Sequence, residues 1–184
     1  MPMTTFASNL LDALGESRSA DEALRQIDQV RRLIAGPGIF SIQLNVTTAR
    51  DPGNEIRLQR FYSSAASRWP VNGVKRKLRT PWTETLFVHC QPFVATGAEA
   101  MGRAFDDYEQ MRAIGIDSVV NVPLLRENLC YATFNVFGTR GHWQPSELLG
   151  IRLMALLAAR WVRPAPDLMY SFDSSNSEAA ALAA

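Results

Sequence analysis

This chain of 184 residues has little of what staples or metallates a fold: two cysteines, Cys90 and Cys130, and two histidines, His89 and His142. Two cysteines make no disulfide framework, and two well-separated histidines are too few to argue a metal site. Net charge is nearly absent as well. Nineteen basic residues against eighteen acidic leave +1 at pH 7, so no global field draws the chain onto nucleic acid or an anionic membrane. No apolar run approaches the roughly 20 residues that span a bilayer, and the N-terminus lacks a signal peptide's basic start and apolar core. A reducing, cytoplasmic setting is the expectation. Lysine is scarce, at two residues against seventeen arginines, which reads as a genome's composition habit. What is present suffices for a core: 47% of residues are apolar, and a domain of this length buries roughly 70% of its unfolded surface. The charge is unevenly spread, because all nineteen basic residues fall at or before Arg163 while Asp167, Asp173 and Glu178 follow it.

Periodicity divides the chain. Residues 6–16 and 18–35 read as helices, with Ser19 and Glu22 at capping-box spacing and Leu24, Ile27 and Ile34 on one face. Gly36-Pro37-Gly38 stops the second helix. The period then drops to two: Phe40, Ile42, Leu44 and Val46 alternate with Ser41, Gln43 and Asn45, a half-apolar strand. Asp51–Asn54 is a turn and Glu55–Ser63 its hairpin partner. Residues 64–80 read as a loop that ends in the basic run Lys75–Arg79. Residues 83–90 form a short helix, 91–96 an extended piece and 100–114 a helix ended by Gly115. Residues 118–125 and 129–137 form a second hairpin around Arg126-Glu127-Asn128. In its second strand Tyr131, Thr133 and Asn135 alternate with Cys130, Ala132, Phe134 and Val136. The last helix, 146–162, is apolar nearly all round and so is expected to be deeply packed. From Pro164 the composition turns to Pro, Ser and Ala, expected to be a disordered or partner-dependent tail. The fold class is therefore α+β: an antiparallel sheet of five to six strands, with the terminal helices packed together on one face, the one bearing Phe40, Ile42, Leu44, Ala132, Phe134 and Val136.

The segments CQPFVATG, FDDYEQMRAIGIDSVVNVPLL, NLCYATFNVFG and WQPSELLGIRLMALLAA, in that order, resemble the GAF domain. That family runs from a proline-led strand through a variable helical segment to a Gly-Ile-x-Ser strand ending in Pro-Leu. A further strand and a Trp-led apolar helix follow. The leading helix and IFSIQLNV fit too, so the likeness spans roughly residues 18–163, with 1–17 as a helical extension and 164–184 as the tail. RFYSS, WPVNGVKRK and SVVNVP look like a stand-alone bacterial group of the same family. Ala132 departs from the family's glycine. The resemblance implies a profilin- or PAS-like sheet, a small-molecule sensor role and a homodimer joined through the terminal helices. It also implies that the polar sheet face is the floor of a ligand cavity, roofed by residues 97–117 and the 64–82 loop. No output domain is expected within these 184 residues, so signalling by partnership, binding alone and catalysis all stay open.

On that polar face Ser41, Gln43, Asn121, Thr133 and Asn135 offer amides and hydroxyls that both donate and accept, suited to a polar, neutral or mildly anionic ligand. Asparagine is poor in mid-strand and needs a partner there, so Asn121 and Asn135 are expected to line the cavity. A solvated sheet face is the plain alternative. Trp69, Trp82, Phe105 and Tyr108 are candidate walls, with Phe105, Tyr108 and Met111 on one helical face that ordinary core packing would explain equally. Asp106 and Asp107 complement that helix's N-terminus or catch a basic group. The basic run 75–79 is a solvated surface or draws anions to the cavity mouth. Cys130 falls on the apolar side of its strand, where cysteine acts as a small hydrophobe. A bound polar or aromatic small molecule, with no cofactor and no nucleic acid, is the leading reading. The alternatives are a small hydrolase, isomerase or thiol-dependent reductase using the same cavity, with its catalytic residues unassigned, and a pure interaction module.

Overall fold

The computed structural model describes residues 3–168. Helices α1 (Met3–Glu16) and α2 (Ala20–Ala35) lead into strands β1 (Gly38–Asn45), β2 (Glu55–Ser63) and β3 (Val74–Leu78). Helix α3 (Pro81–Thr83) runs into a π-helical turn (Glu84–Val88). Then come β4 (Phe93–Thr96), α4 (Gly97–Ala104), α5 (Tyr108–Arg112), β5 (Ser118–Arg126), β6 (Leu129–Gly138) and α6 (Pro145–Ala159). The strands form one six-stranded sheet in the order β3-β2-β1-β6-β5-β4, every neighbouring pair antiparallel.

Alternation sorts the two sheet faces as the sequence implies. Phe40, Ile42, Ala132, Phe134 and Val136 are buried in one cluster with Leu24 and Ile27 of α2 and Ile151 and Met154 of α6, while Leu44 is half-buried against it. Leu10 and Leu14 of α1 join the same cluster, so the N-terminal extension is part of this layer. The opposite face carries a second cluster, in which Ile56, Leu58 and Val119 of the sheet meet Trp82, Leu86, Phe87, Met101, Phe105, Tyr108 and Met111.

Charged side chains close the ends of α2 and α6 in this layer. Arg31 is fully buried. Its guanidinium donates to Asp28 at 2.7–2.9 Å and to the Gly36 carbonyl at 2.8 Å, where α2 ends. Arg140 donates to the Ala35 carbonyl and pairs with Glu147, whose other oxygen accepts from the Gln144 amide at the start of α6. Carbonyls that a helix end would leave orphaned are thus satisfied by charge. Ser19 caps α2 as its spacing implies, accepting from the Glu22 amide.

Several expectations need correction. Residues 64–80 are not all loop, because Val74–Leu78 forms edge strand β3 on β2. The helix read across 100–114 is two, broken at Phe105, which adopts extended angles (φ −132°, ψ 118°). Helix 83–90 is one short α turn passing into a π turn. Helix α6 is not packed all round: Leu149, Leu153 and Leu156 are 59%, 53% and 71% exposed. Cys130 belongs to the second cluster rather than the helical one, because a bulge at Leu124/Leu125 shifts the register at that end of the hairpin. The expected tail lies outside the described residues from 169 onward; before that, Leu168 packs against the helical cluster.

Where β1 enters the sheet, Gly38 pairs with Gly138 of β6 at φ 147°, and a Cβ there would stand 2.0 Å from the Phe137 carbonyl oxygen. Backbone, not a movable side chain, blocks the space. Gly38→Ala is therefore expected to cost about 3 kcal/mol or more, read as a lowered urea midpoint. A loss under about 1 kcal/mol would mean that β1 and β6 do not approach this closely.

Candidate functional site

The second face of the sheet holds a cleft between β1–β3 and the roof formed by α3, α4 and α5. Alternate residues of β1 supply its floor, with Ile39, Ser41 and Gln43 facing in and Ser63 of β2 beside them. Trp69, Trp82, Phe105, Phe137, Met111 and Ile116 form apolar walls. Arg60, Lys75, Lys77 and Asp107 complete the lining. The space inside it is about 50 Å³, room for about four waters.

The lysines come from a strand that sequence reasoning missed. In β3, Lys75 lies opposite Leu58 and Lys77 opposite Ile56, so both point to the cleft side while Arg76 between them points away. Lys75 pairs with Asp107 at 2.8 Å and Lys77 with Asp106 at 2.6 Å. These two bridges tie the edge strand to the α4–α5 junction. The hydrogen bond and the charge of Lys77 hold the Asp106 carboxyl below its usual range. Arg60 donates to the Pro70 carbonyl at 3.2 Å, and burial pushes its guanidinium down, opposed by the charge of Asp107.

Five of the ten expected site residues line the cleft: Ser41, Gln43, Trp69, Trp82 and Phe105. Asn121, Thr133 and Asn135 lie on the expected face but beneath the cleft, and they do not line it. The Trp82 indole donates to Asn121 Oδ1 at 2.9 Å, and the Asn121 amide donates to Asn135 Oδ1 at 2.7 Å. Asn135 in turn donates to the carbonyls of Ser41 and Thr133 at 3.3 and 3.2 Å. Both asparagines are buried and spend their polar atoms on the protein. Tyr108 is turned away from the cleft, its hydroxyl donating to Asp117 at 3.1 Å. Asp106, expected to meet a ligand's basic group, meets Lys77 instead, with its side chain 93% exposed.

Neither cysteine nor histidine stands among the lining residues. Cys90 donates to the Asn128 carbonyl and Cys130 to that of Ala132, and burial pushes both thiols up. A second, more open depression of about 500 Å³ lies beside α2, lined by Asp21, Arg25, Asp28, Arg32, Tyr62 and Ser64 among others. Its charges are spent on one another, through Arg25–Asp21 at 2.7 Å and Arg32–Asp28 at 3.0 Å.

No family model matches the chain, and no curated protein matches it by sequence. Solved structures do. The GAF domain of a phosphoenolpyruvate-protein phosphotransferase from Coxiella burnetii superposes with a TM-score of 0.64 at 10% identity, covering 86% of this chain and 91% of that one. An A. Aeolicus GAF domain in an inactive state gives 0.60 at 12% identity, covering 86% and 93%. The chromophore-binding domain of a bacteriophytochrome from R. palustris gives 0.57 at 9% identity, covering 85% of this chain and 59% of that one. The chain has the fold of a GAF domain.

The buried amide chain leads to a stability prediction. Asn135→Ala removes the acceptor of the Asn121 amide and is expected to destabilise the protein by about 1–3 kcal/mol in urea titration. Asn121→Ala, which also strips the Trp82 indole of its acceptor, should cost at least as much. A variant as stable as the parent would show that these amides carry no such structural role.

Proposed function

We propose that this chain is a small-molecule sensor or binding module that takes its ligand in the cleft over β1. The observation that carries this reading is the pairing of hydrogen-bonding floor residues, Ser41 and Gln43, with aromatic walls from Trp69, Trp82 and Phe105. Binding sites for small molecules commonly combine an apolar wall with a few convergent polar groups. The R. palustris structure of the same fold is itself described as chromophore-binding, which supports the reading. The site residues are then Ser41, Gln43, Trp69, Trp82 and Phe105, with Asn121, Asn135 and Thr133 positioning the floor and Trp82 from below. The thiol-dependent alternative has less to stand on, since neither cysteine lines the cleft.

Thermal-shift screening of the purified chain against a metabolite library, alongside native mass spectrometry for a copurifying molecule, tests the reading. A ligand is expected to raise Tm by several degrees in the parent and to lose that effect in Gln43→Leu and Trp69→Ala. A shift that survives both substitutions would place the ligand elsewhere.

The homodimer belongs to the same proposal. Leu149, Leu153 and Leu156 stand at i, i+4 and i+7 on the outer face of α6, and Leu33 of α2 is also exposed. Such a stripe fits a helical seam between two copies. Sedimentation at micromolar concentration is expected to give a dimer for the parent and a monomer for Leu153→Lys with Leu156→Lys. A monomeric parent would overturn the assignment.

A further inference from the structure

We infer that the cleft recognises a small organic anion with a flat apolar body, whose acidic group displaces Asp106 and Asp107 from Lys77 and Lys75 and so unlatches the α4–α5 junction. The inference rests on the reading of the cleft as a ligand site and adds the ligand's charge class.

The placement of charge carries it. A chain with seventeen arginines has two lysines, and both line this cleft. They sit two residues apart on an edge strand, the spacing that sends both side chains to one face. Arg60 is a third cation on the wall. Among the described residues no carboxylate lies within 4 Å of its guanidinium, which donates to the Pro70 carbonyl alone. Two carboxylates, Asp106 and Asp107, answer these three cations, which leaves a surplus of positive charge over an apolar cavity. A ligand's carboxylate would be drawn to that surplus and would accept charge-assisted hydrogen bonds from the lysines.

The aspartates stand where an exchangeable counter-charge would. Both lie in the break between α4 and α5, and each bridge has one well-exposed partner, Lys75 at 44% and Asp106 at 93%, so a competing anion can reach and exchange it. The space they close over is about 50 Å³, too small for a ring and a carboxylate. A ligand of that size enters only if the junction moves outward, and removing its two ionic tethers permits that. The walls of Trp69, Trp82, Phe105 and Phe137 then offer stacking faces to a planar body.

The test uses the full chain and three probes that share a ring and differ in charge: benzoate, benzamide and benzylammonium, titrated by calorimetry at low ionic strength. Benzoate is expected to bind at least tenfold more tightly than benzamide, and benzylammonium not measurably. Lys75→Met with Lys77→Met should weaken benzoate at least tenfold, whereas Asp106→Asn with Asp107→Asn should tighten it severalfold by freeing the lysines. Each pair has one exposed and one half-buried member, and circular dichroism confirms that the variants fold. Equal affinity for benzoate and benzamide overturns the inference. So does preference for benzylammonium, or weaker benzoate binding in the aspartate variant. Failure of all three probes to bind overturns it as well, and leaves the ligand-site reading standing if a neutral molecule from the screen loses its effect in Gln43→Leu.

Discussion

Four elements of this fold meet through one run of hydrogen bonds that begins at an indole. Trp82 donates to Asn121, Asn121 to Asn135, and Asn135 to backbone carbonyls of β1 and β6. Trp82, Asn121 and Asn135 are all buried, and a buried polar atom without a partner is expensive. The run is therefore nearly all-or-none, since losing any member leaves its neighbour unsatisfied. It sets the height of the roof above the sheet by holding the Trp82 ring at a given distance from β5. Phe87 and Phe105 pack edge-on against that ring at 6.1 and 6.0 Å, so the cleft's apolar wall inherits its position from an amide two strands away.

The two sides of the sheet differ in how they are held. On one, three helices of 14 to 16 residues share a continuous core with the sheet, and the buried guanidinium of Arg31 and the more exposed one of Arg140 close the end of α2. On the other, the roof is made of helices of three, eight and five residues and a π turn. Short helices hold few internal hydrogen bonds and depend on packing. Low-stability segments are where ligand-responsive motion is ordinarily found, and this roof lies directly over the candidate site.

Much of the fold was legible because strand alternation is a strict period. Ser41, Gln43, Asn121, Thr133 and Asn135 do share one face, and Phe40, Ile42, Phe134 and Val136 the other. Depth was not legible. Alternation says which side a residue faces and nothing about whether a neighbour stands between it and solvent, so it points Asn121 and Asn135 at the cavity although they lie under Trp82. Strand β3 escaped for another reason. Its sequence, Val-Lys-Arg-Lys-Leu, has no apolar alternation because edge strands carry charge that blocks pairing with further chains. The break at Phe105 had no glycine or proline to mark it. There the ring leaves the helix to join the aromatic cluster, and tertiary packing overrides local propensity.

The site's missing charges and the missed strand have one physical origin. A lysine pair in a loop, whether solvated or drawing anions to a cavity mouth, has no fixed direction, whereas the same pair at alternate positions of a strand must place both side chains on one face. Once Lys75 and Lys77 face the cleft, the aspartates opposite them are no longer mere dipole complements of a helix start but counter-ions across a gap. Solved domains of this fold share its backbone path at identities of 9 to 12%, so backbone geometry leaves the chemistry of the cleft largely free. What distinguishes this chain within the fold must therefore reside in the few side chains that reach the cleft. On the proposed reading charge would discriminate most sharply among these, because an apolar wall accepts many flat molecules while surplus positive charge at its edge favours those that bring an anion.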